Sequence, residues 1–190
     1  MKTVLFCPGF RENKTSRDYK SVIEAIESKG YSVKFIPINW DKTIIDDWVA
    51  QLEKVYINYD PKETILAGFS FGSMTALVTA TNRMPSELWL FSLSPYFSED
   101  LHLIKPAYLF DIGKKRIERF KNLFFNKLAP RITCKTLIFV GAKEATKYPE
   151  IGLRAHDAVK KLKNSQLYTI PNVGHDIADK QYINQIKSVI

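Results

Sequence analysis

Short apolar runs of strand type alternate along this chain with longer segments whose apolar positions recur every three to four residues. The first run is Thr3–Cys7, closed by Pro8-Gly9. The spacing then predicts a helix over 16–29, with Tyr19, Val22, Ile23 and Ile26 on one face and Gly30 as its stop. A strand follows over 32–38, then a helix over 44–59 that turns Ile45, Trp48, Val49, Leu52 and Val55 inward. A third strand, 63–67, runs into a short turn and a helix over 74–81. Further strands are predicted at 88–91, 136–140 and 167–170, with helices over 153–162 and 179–189. Strands alternating with helices of this length predict an α/β fold with a mainly parallel sheet of about six strands.

The interval 95–132 breaks that rhythm, being too long for an ordinary connection. It contains an amphipathic stretch in which Ile117, Phe120, Phe124 and Leu128 share one helical face, while Lys114, Lys115, Lys121 and Lys127 lie largely off it. It reads as a small helical cap inserted after the fourth strand of a single domain spanning 1–190. That length suffices for one substantial core.

Composition narrows the class without naming a function. Hydrophobic residues at 45% and charged residues at 25% are ordinary for a globular domain. No run approaches the roughly 20 apolar residues of a membrane helix, and the N-terminal apolar stretch is too short for a secretory signal. Cys7 and Cys134 lie in strand-like sequence without CxxC or His-rich spacing, so they read as buried, reduced thiols of a cytoplasmic protein with no metal site. The net charge is +8, and nine of the basic residues fall between Lys105 and Lys135 against only Asp111 and Glu118. The charge therefore belongs to one region rather than to the whole fold. No nucleic-acid motif accompanies it, and no nucleic-acid partner is expected.

The chemistry starts at Gly68-Phe69-Ser70-Phe71-Gly72, which ends the third strand and opens a helix. A serine at such a turn needs small neighbours so that its Oγ can rise clear of the sheet. A serine hydroxyl also needs a base within reach. Of three histidines, His102 falls in the cap and His156 within a helix, while His175 follows the last strand in Pro171-Asn172-Val173-Gly174-His175. In a parallel sheet the loops after each strand gather at one edge, which brings His175 towards Ser70. The imidazole in turn needs a carboxylate to fix its tautomer. Glu144, the first acid after the fifth strand, is the best candidate; Glu150 is the fallback, and Asp176 is too close in sequence to fold back on its neighbour. Two amides would receive an oxyanion: Phe71 N–H at the helix start and Phe10 N–H after Gly9.

With these residues in place, the sequence resembles the α/β-hydrolase superfamily over nearly its full length. Residues 68–72 match the nucleophile elbow, Glu144 the acid after the penultimate strand, and His175 the Gly-His after the last. The resemblance implies a minimal α/β-hydrolase fold of six parallel strands without two initial antiparallel ones. It also implies hydrolysis of a carboxylic ester or thioester through an acyl-serine, with no cofactor. Pro8 stands where many members have His, Ser73 replaces a common second Gly, and the acid is Glu rather than the commoner Asp.

The aromatic residues Phe10, Phe69, Phe71, Tyr96, Phe97, Tyr108 and Phe110 are expected to line an apolar pocket. The basic segment is read in two ways. It is a solvated helical face, or it attracts an anionic small-molecule substrate or makes transient contact with a membrane surface. A different class of function, a non-catalytic binding protein on the same scaffold, would use this basic aromatic segment for an acidic partner.

Overall fold

The structure is a computed structural model that describes residues 1–16 and 18–190. The described residues form one six-stranded sheet of β1 (Thr3–Cys7), β2 (Ser32–Phe35), β3 (Thr64–Phe69), β4 (Glu87–Phe91), β5 (Lys135–Gly141) and β6 (Ser165–Ile170). The order is β2-β1-β3-β4-β5-β6, with every neighbouring pair parallel. Parallel neighbours require crossovers: α1 (Tyr19–Glu27), α2 (Ile45–Tyr56), α3 (Phe71–Asn82) and α8 (Pro149–Lys161) supply four, and the interval 95–132 carries the chain from β4 to β5. The chain ends in α9 (Lys180–Val189).

Strand alternation builds two cores. Leu5, Leu66, Leu88, Leu90, Ile138 and Val140 face α2, α3 and α8, while Val4, Phe6, Ile65, Trp89, Phe91 and Phe139 face α1 and α9. Both faces of the central strands are covered, which explains why their sequences are continuous apolar runs rather than alternating ones. Trp48 and Trp89 are completely buried, and burial of a large apolar side chain contributes about 1.5–3 kcal/mol each.

Element ends differ from the sequence reading for local reasons. β2 stops at Phe35 rather than 38, because Pro37 has no N–H to continue the ladder. α1 begins at Tyr19, where the Asp18 side chain accepts from Ser21 N at 3.2 Å and caps it. The region after β5 holds two helices, α7 (Ala142–Lys147) and α8, with Pro149 opening the second.

The interval 95–132 folds into α4 (Pro106–Ile112), α5 (Lys114–Phe120) and α6 (Phe125–Leu128). The continuous amphipathic helix predicted through Phe124 does not form. The Glu99 carboxylate accepts from the amides of Phe125 and Asn126 at 3.0 and 2.9 Å, so a new turn starts there. Phe125 is consequently the buried residue, and Phe124 is only partly covered. Both cysteines are free; Cys7 is buried, whereas Cys134 is half-buried, not the second fully buried thiol expected. Among the described residues no helix is long and apolar enough to cross a membrane.

Candidate active site

Ser70 occupies the junction of β3 and α3 with φ 56° and ψ −118°, a backbone conformation that side-chain-bearing residues rarely adopt. The turn is held by Ser70 N donating to Phe91 O at 2.9 Å and Ser73 N donating to Ser70 O at 3.0 Å. The flanking glycines are required by close approach. A Cβ on Gly68 would stand 2.2 Å from the Gly72 carbonyl, and one on Gly72 would stand 2.3 Å from Cys7 O. Ser73, in place of a glycine, uses its hydroxyl to tie β3 to β4 by donating to Gly68 O and to Phe91 O.

Glu144 and His175 meet on the other side of the same sheet edge. Gly141 makes this possible: a Cβ there would lie 2.4 Å from Val173 O, and Lys143 N and Glu144 N donate to that carbonyl at 2.9 and 3.1 Å. The end of β5 is thereby stitched to the loop carrying His175. The Glu144 side chain is 1% exposed and has three partners. Oε1 hydrogen-bonds His175 Nδ1, while Oε2 accepts from Ser92 Oγ at 2.8 Å and Gly141 N at 3.1 Å. An ionised carboxylate can only accept, so the ring nitrogen facing it is Nδ1–H and Nε2 is left with its lone pair. The imidazole packs on the Phe69 ring with centroids 4.6 Å apart.

Ser92 and Tyr182 also belong to this array, and neither was singled out by the reading of strand ends. Ser92 has φ 51°, lies 3.2 Å from Tyr182 Oη, and turns its hydroxyl towards Glu144. Burial, and then the charge of Glu144, hold the Tyr182 phenol well above its ordinary range. The visible signal was Ser92-Leu93-Ser94 directly after an apolar strand, at the edge where loops converge.

Ser70 and His175 line one cavity of about 180 Å³, together with Phe71, Ser94, Pro95, Tyr96, Ile104, Tyr108, Tyr148, Glu150 and Ile151. Ser70 Oγ lies 3.0 Å from Ser94 Oγ. Glu150 stands on the cavity wall in the first turn of α8, separate from the Glu144–His175 pair. Of the expected aromatic lining, Phe71, Tyr96 and Tyr108 are present. Phe69 and Phe97 are buried in the two cores, Phe10 packs against Trp40 and Phe71, and Phe110 is 86% exposed. His102 and His156 are exposed and line none of this cavity.

Phe71 lines the cavity, whereas Phe10 does not and reaches it only through its ring, 5.2 Å from that of Phe71. Phe71 opens α3, so its N–H has no acceptor within the helix. The loop bearing Phe10 is anchored by Gly9 N donating to Tyr19 Oη at 3.0 Å and by the Tyr19–Glu12 hydrogen bond. The Arg116 guanidinium lies 5.0 Å over the Phe10 ring and donates to Thr43 O and Ile112 O at 2.8 Å each, which joins α5 to this loop.

The basic residues of 105–135 do not line the cavity. Arg119 pairs with Asp46, Lys121 with Glu118, and Arg131 donates to Thr81 O. A larger groove of about 640 Å³, between α2, α3 and α6, takes Arg119, Lys127 and Arg131 but also Asp46 and Glu53, and holds none of the predicted site residues. Among the described residues no group of three or more His, Cys, Asp or Glu is arranged to hold a metal ion.

No protein-family model matches the chain, and no curated protein sequence matches it. Solved structures do. Est1E from Butyrivibrio proteoclasticus superposes with a TM-score of 0.80 at 15% identity, over 98% of this chain and 86% of that one. MenH from S. aureus gives 0.70 at 22% identity, over 98% and 92%. Dienelactone hydrolase from Anabaena variabilis gives 0.65 at 16% identity, over 100% and 83%.

Proposed function

Starting from a chain with the α/β-hydrolase fold, we propose that it is a serine hydrolase cleaving a carboxylic ester or thioester through an acyl-serine intermediate. The observation that carries this reading is the strained Ser70 elbow sharing a cavity with a histidine whose other nitrogen is bonded to a buried carboxylate. Solved structures that share the fold include a hydrolase, the dienelactone hydrolase from Anabaena variabilis.

In this mechanism Ser70 Oγ attacks the acyl carbon while His175 Nε2 takes its proton. Glu144 holds the ring in the required tautomer and stabilises the imidazolium as it forms. The Phe10 and Phe71 amides donate to the carbonyl oxygen as it becomes an oxyanion, and each such donor contributes about 10²–10³ in rate. The imidazolium then protonates the leaving alcohol or thiol. Water attacks the acyl-serine by the reverse sequence, with His175 again as base.

The cavity constrains the substrate. At about 180 Å³ it is smaller than the roughly 300–1,000 Å³ of typical ligand pockets, which favours a small acyl group. The segment 95–132 acts as the cap: Tyr96, Ile104 and Tyr108 form one wall over Ser70.

The test is covalent labelling by a fluorophosphonate. Wild type should be labelled with a mass increment on Ser70, and Ser70→Ala should not be labelled. A folded but unlabelled wild type would return the chain to the non-catalytic binding reading.

A further inference from the structure

Glu150 is a carboxylate that the mechanism above leaves unused. It is 8% exposed, lines the cavity that holds Ser70, and receives no hydrogen bond or ion pair among the described residues. Its oxygens are not sealed in protein either, since they are absent from the fully enclosed, unpartnered polar atoms of the fold. A carboxylate this deep is costly unless something pairs with it. It stands at the second position of α8, beside the amides of the helix N-terminus, which does not supply the missing counter-charge.

The surroundings say what kind of group would complete it. Three tyrosines, Tyr96, Tyr108 and Tyr148, line the same cavity, and apart from His175 no basic side chain does. Burial, and after it the charge of Glu150, hold the Tyr96 phenol above its ordinary range, so Tyr96 is a neutral ring within the field of that carboxylate. Tyr108 and Tyr148 meet edge to face with centroids 6.1 Å apart. Lys147, exposed and outside the cavity, already rests 5.3 Å over the Tyr148 ring. Aromatic faces beside an unpartnered carboxylate form a site for an organic cation, which gains both the Coulomb attraction and the cation–π contact.

We propose that Glu150, with Tyr96, Tyr108 and Tyr148, makes this cavity selective for esters carrying an ammonium group. The proposal deepens the serine hydrolase reading and rests on it for the identity of the reacting bond. It runs against the attraction of an anionic substrate that the charge of 105–135 suggests. Those lysines and arginines lie outside the cavity, and the one charged side chain that lines it beside the histidine is negative.

The experiment compares two p-nitrophenyl esters of equal shape, one with an acyl chain ending in trimethylammonium and the other in tert-butyl. Wild type should favour the cationic ester in kcat/KM by roughly tenfold or more, and Glu150→Gln should bring the ratio to about one. Tyr108→Leu, which removes one partly exposed ring, should lower the ratio by roughly threefold. A wild-type ratio near one, or a preference that survives Glu150→Gln, overturns the proposal. So does an equal loss on both esters in Glu150→Gln, which would place Glu150 in the reaction machinery instead.

A second measurement separates this inference from the reading beneath it. Butyltrimethylammonium alone, titrated by NMR, should bind wild type and Ser70→Ala alike and bind Glu150→Gln roughly tenfold more weakly. Were neither ester hydrolysed, the hydrolase reading would fall while Glu150-dependent binding of the cation still upheld the site. Absence of that binding would overturn the site whatever the activity.

Discussion

Replacing Glu144 by Gln tests the role of the buried carboxylate with almost no change of volume. Three donors converge on it: His175 at Oε1, and Ser92 Oγ at 2.8 Å with Gly141 N at 3.1 Å at Oε2. A glutamine has only one oxygen for these two positions. The Gly141 amide cannot reverse its polarity, so the carbonyl oxygen takes the Oε2 place and the NH₂ faces the imidazole. The ring must then accept at Nδ1, which puts the proton on Nε2 and removes the base that Ser70 needs. A wrong tautomer in a serine–histidine–carboxylate triad costs about 10³–10⁴ in kcat, or roughly 4–5.5 kcal/mol of transition-state stabilisation. Folding should suffer less. The loss of charge-assisted bonding costs about 1–2 kcal/mol, which lowers Tm by roughly 2–8 °C for a chain of this size. Glu144→Ala is the contrast, since it strands all three donors at about 1–3 kcal/mol each. The assay is kcat on a small p-nitrophenyl ester, alongside thermal melts of each variant. A folded Glu144→Gln retaining more than about a tenth of wild-type kcat would refute the tautomer argument, as would an equal collapse in Glu150→Gln.

Other substitutions probe the supports of the site. Gly72→Ala places a Cβ 2.3 Å from Cys7 O; a backbone clash of this kind should cost about 3 kcal/mol and lower Tm by roughly 6–12 °C. Gly174→Ala, whose Cβ meets nothing within 4 Å, should change stability by less than about 0.5 kcal/mol; equal melts for the two variants would contradict this packing account. Tyr19→Phe removes the acceptor of Gly9 N–H and the partner of Glu12. It should lower kcat on a neutral ester by roughly tenfold through a loosened Phe10 loop, and an unchanged kcat would remove Tyr19 from that role. Burial pushes the Asp100 carboxyl up to about 6 against the opposing charge of Arg154. The folded state then holds a proton that the unfolded chain, near the ordinary value of about 3.9, has released. Stability from this group therefore falls as pH rises from about 4 to about 6, and Asp100→Asn should flatten that slope in thermal melts. Parallel wild-type and Asp100→Asn profiles would contradict the assignment.

The parallel sheet was legible because its central strands are apolar on both faces and its helices on one. Ser70, Glu144 and His175 could be brought to one edge simply by asking which residues follow the ends of strands. Features set by tertiary contact were not readable. The break between α5 and α6 depends on Glu99 reaching across from the loop after β4, and nothing in the periodicity of 114–128 announces it. The same holds for the cavity wall: Tyr96 and Tyr108 of 95–132 meet Tyr148 and Glu150 at the start of α8 only through the way that segment folds back. Phe110 and Phe97 show the converse error, since two aromatic residues in one segment went to solvent and core respectively. The basic run misled in a similar way, because sequence reports how many charges a segment carries and not the partners, such as Asp46 and Glu118, that its side chains find.

The most direct measurement is intact-mass spectrometry of the protein quenched during turnover of a slowly deacylating p-nitrophenyl ester, followed by peptide mapping. The account predicts one acyl adduct, located on Ser70 and missing from Ser70→Ala. An adduct on the neighbouring Ser94 instead, or turnover with no covalent adduct under any quench time, would contradict it.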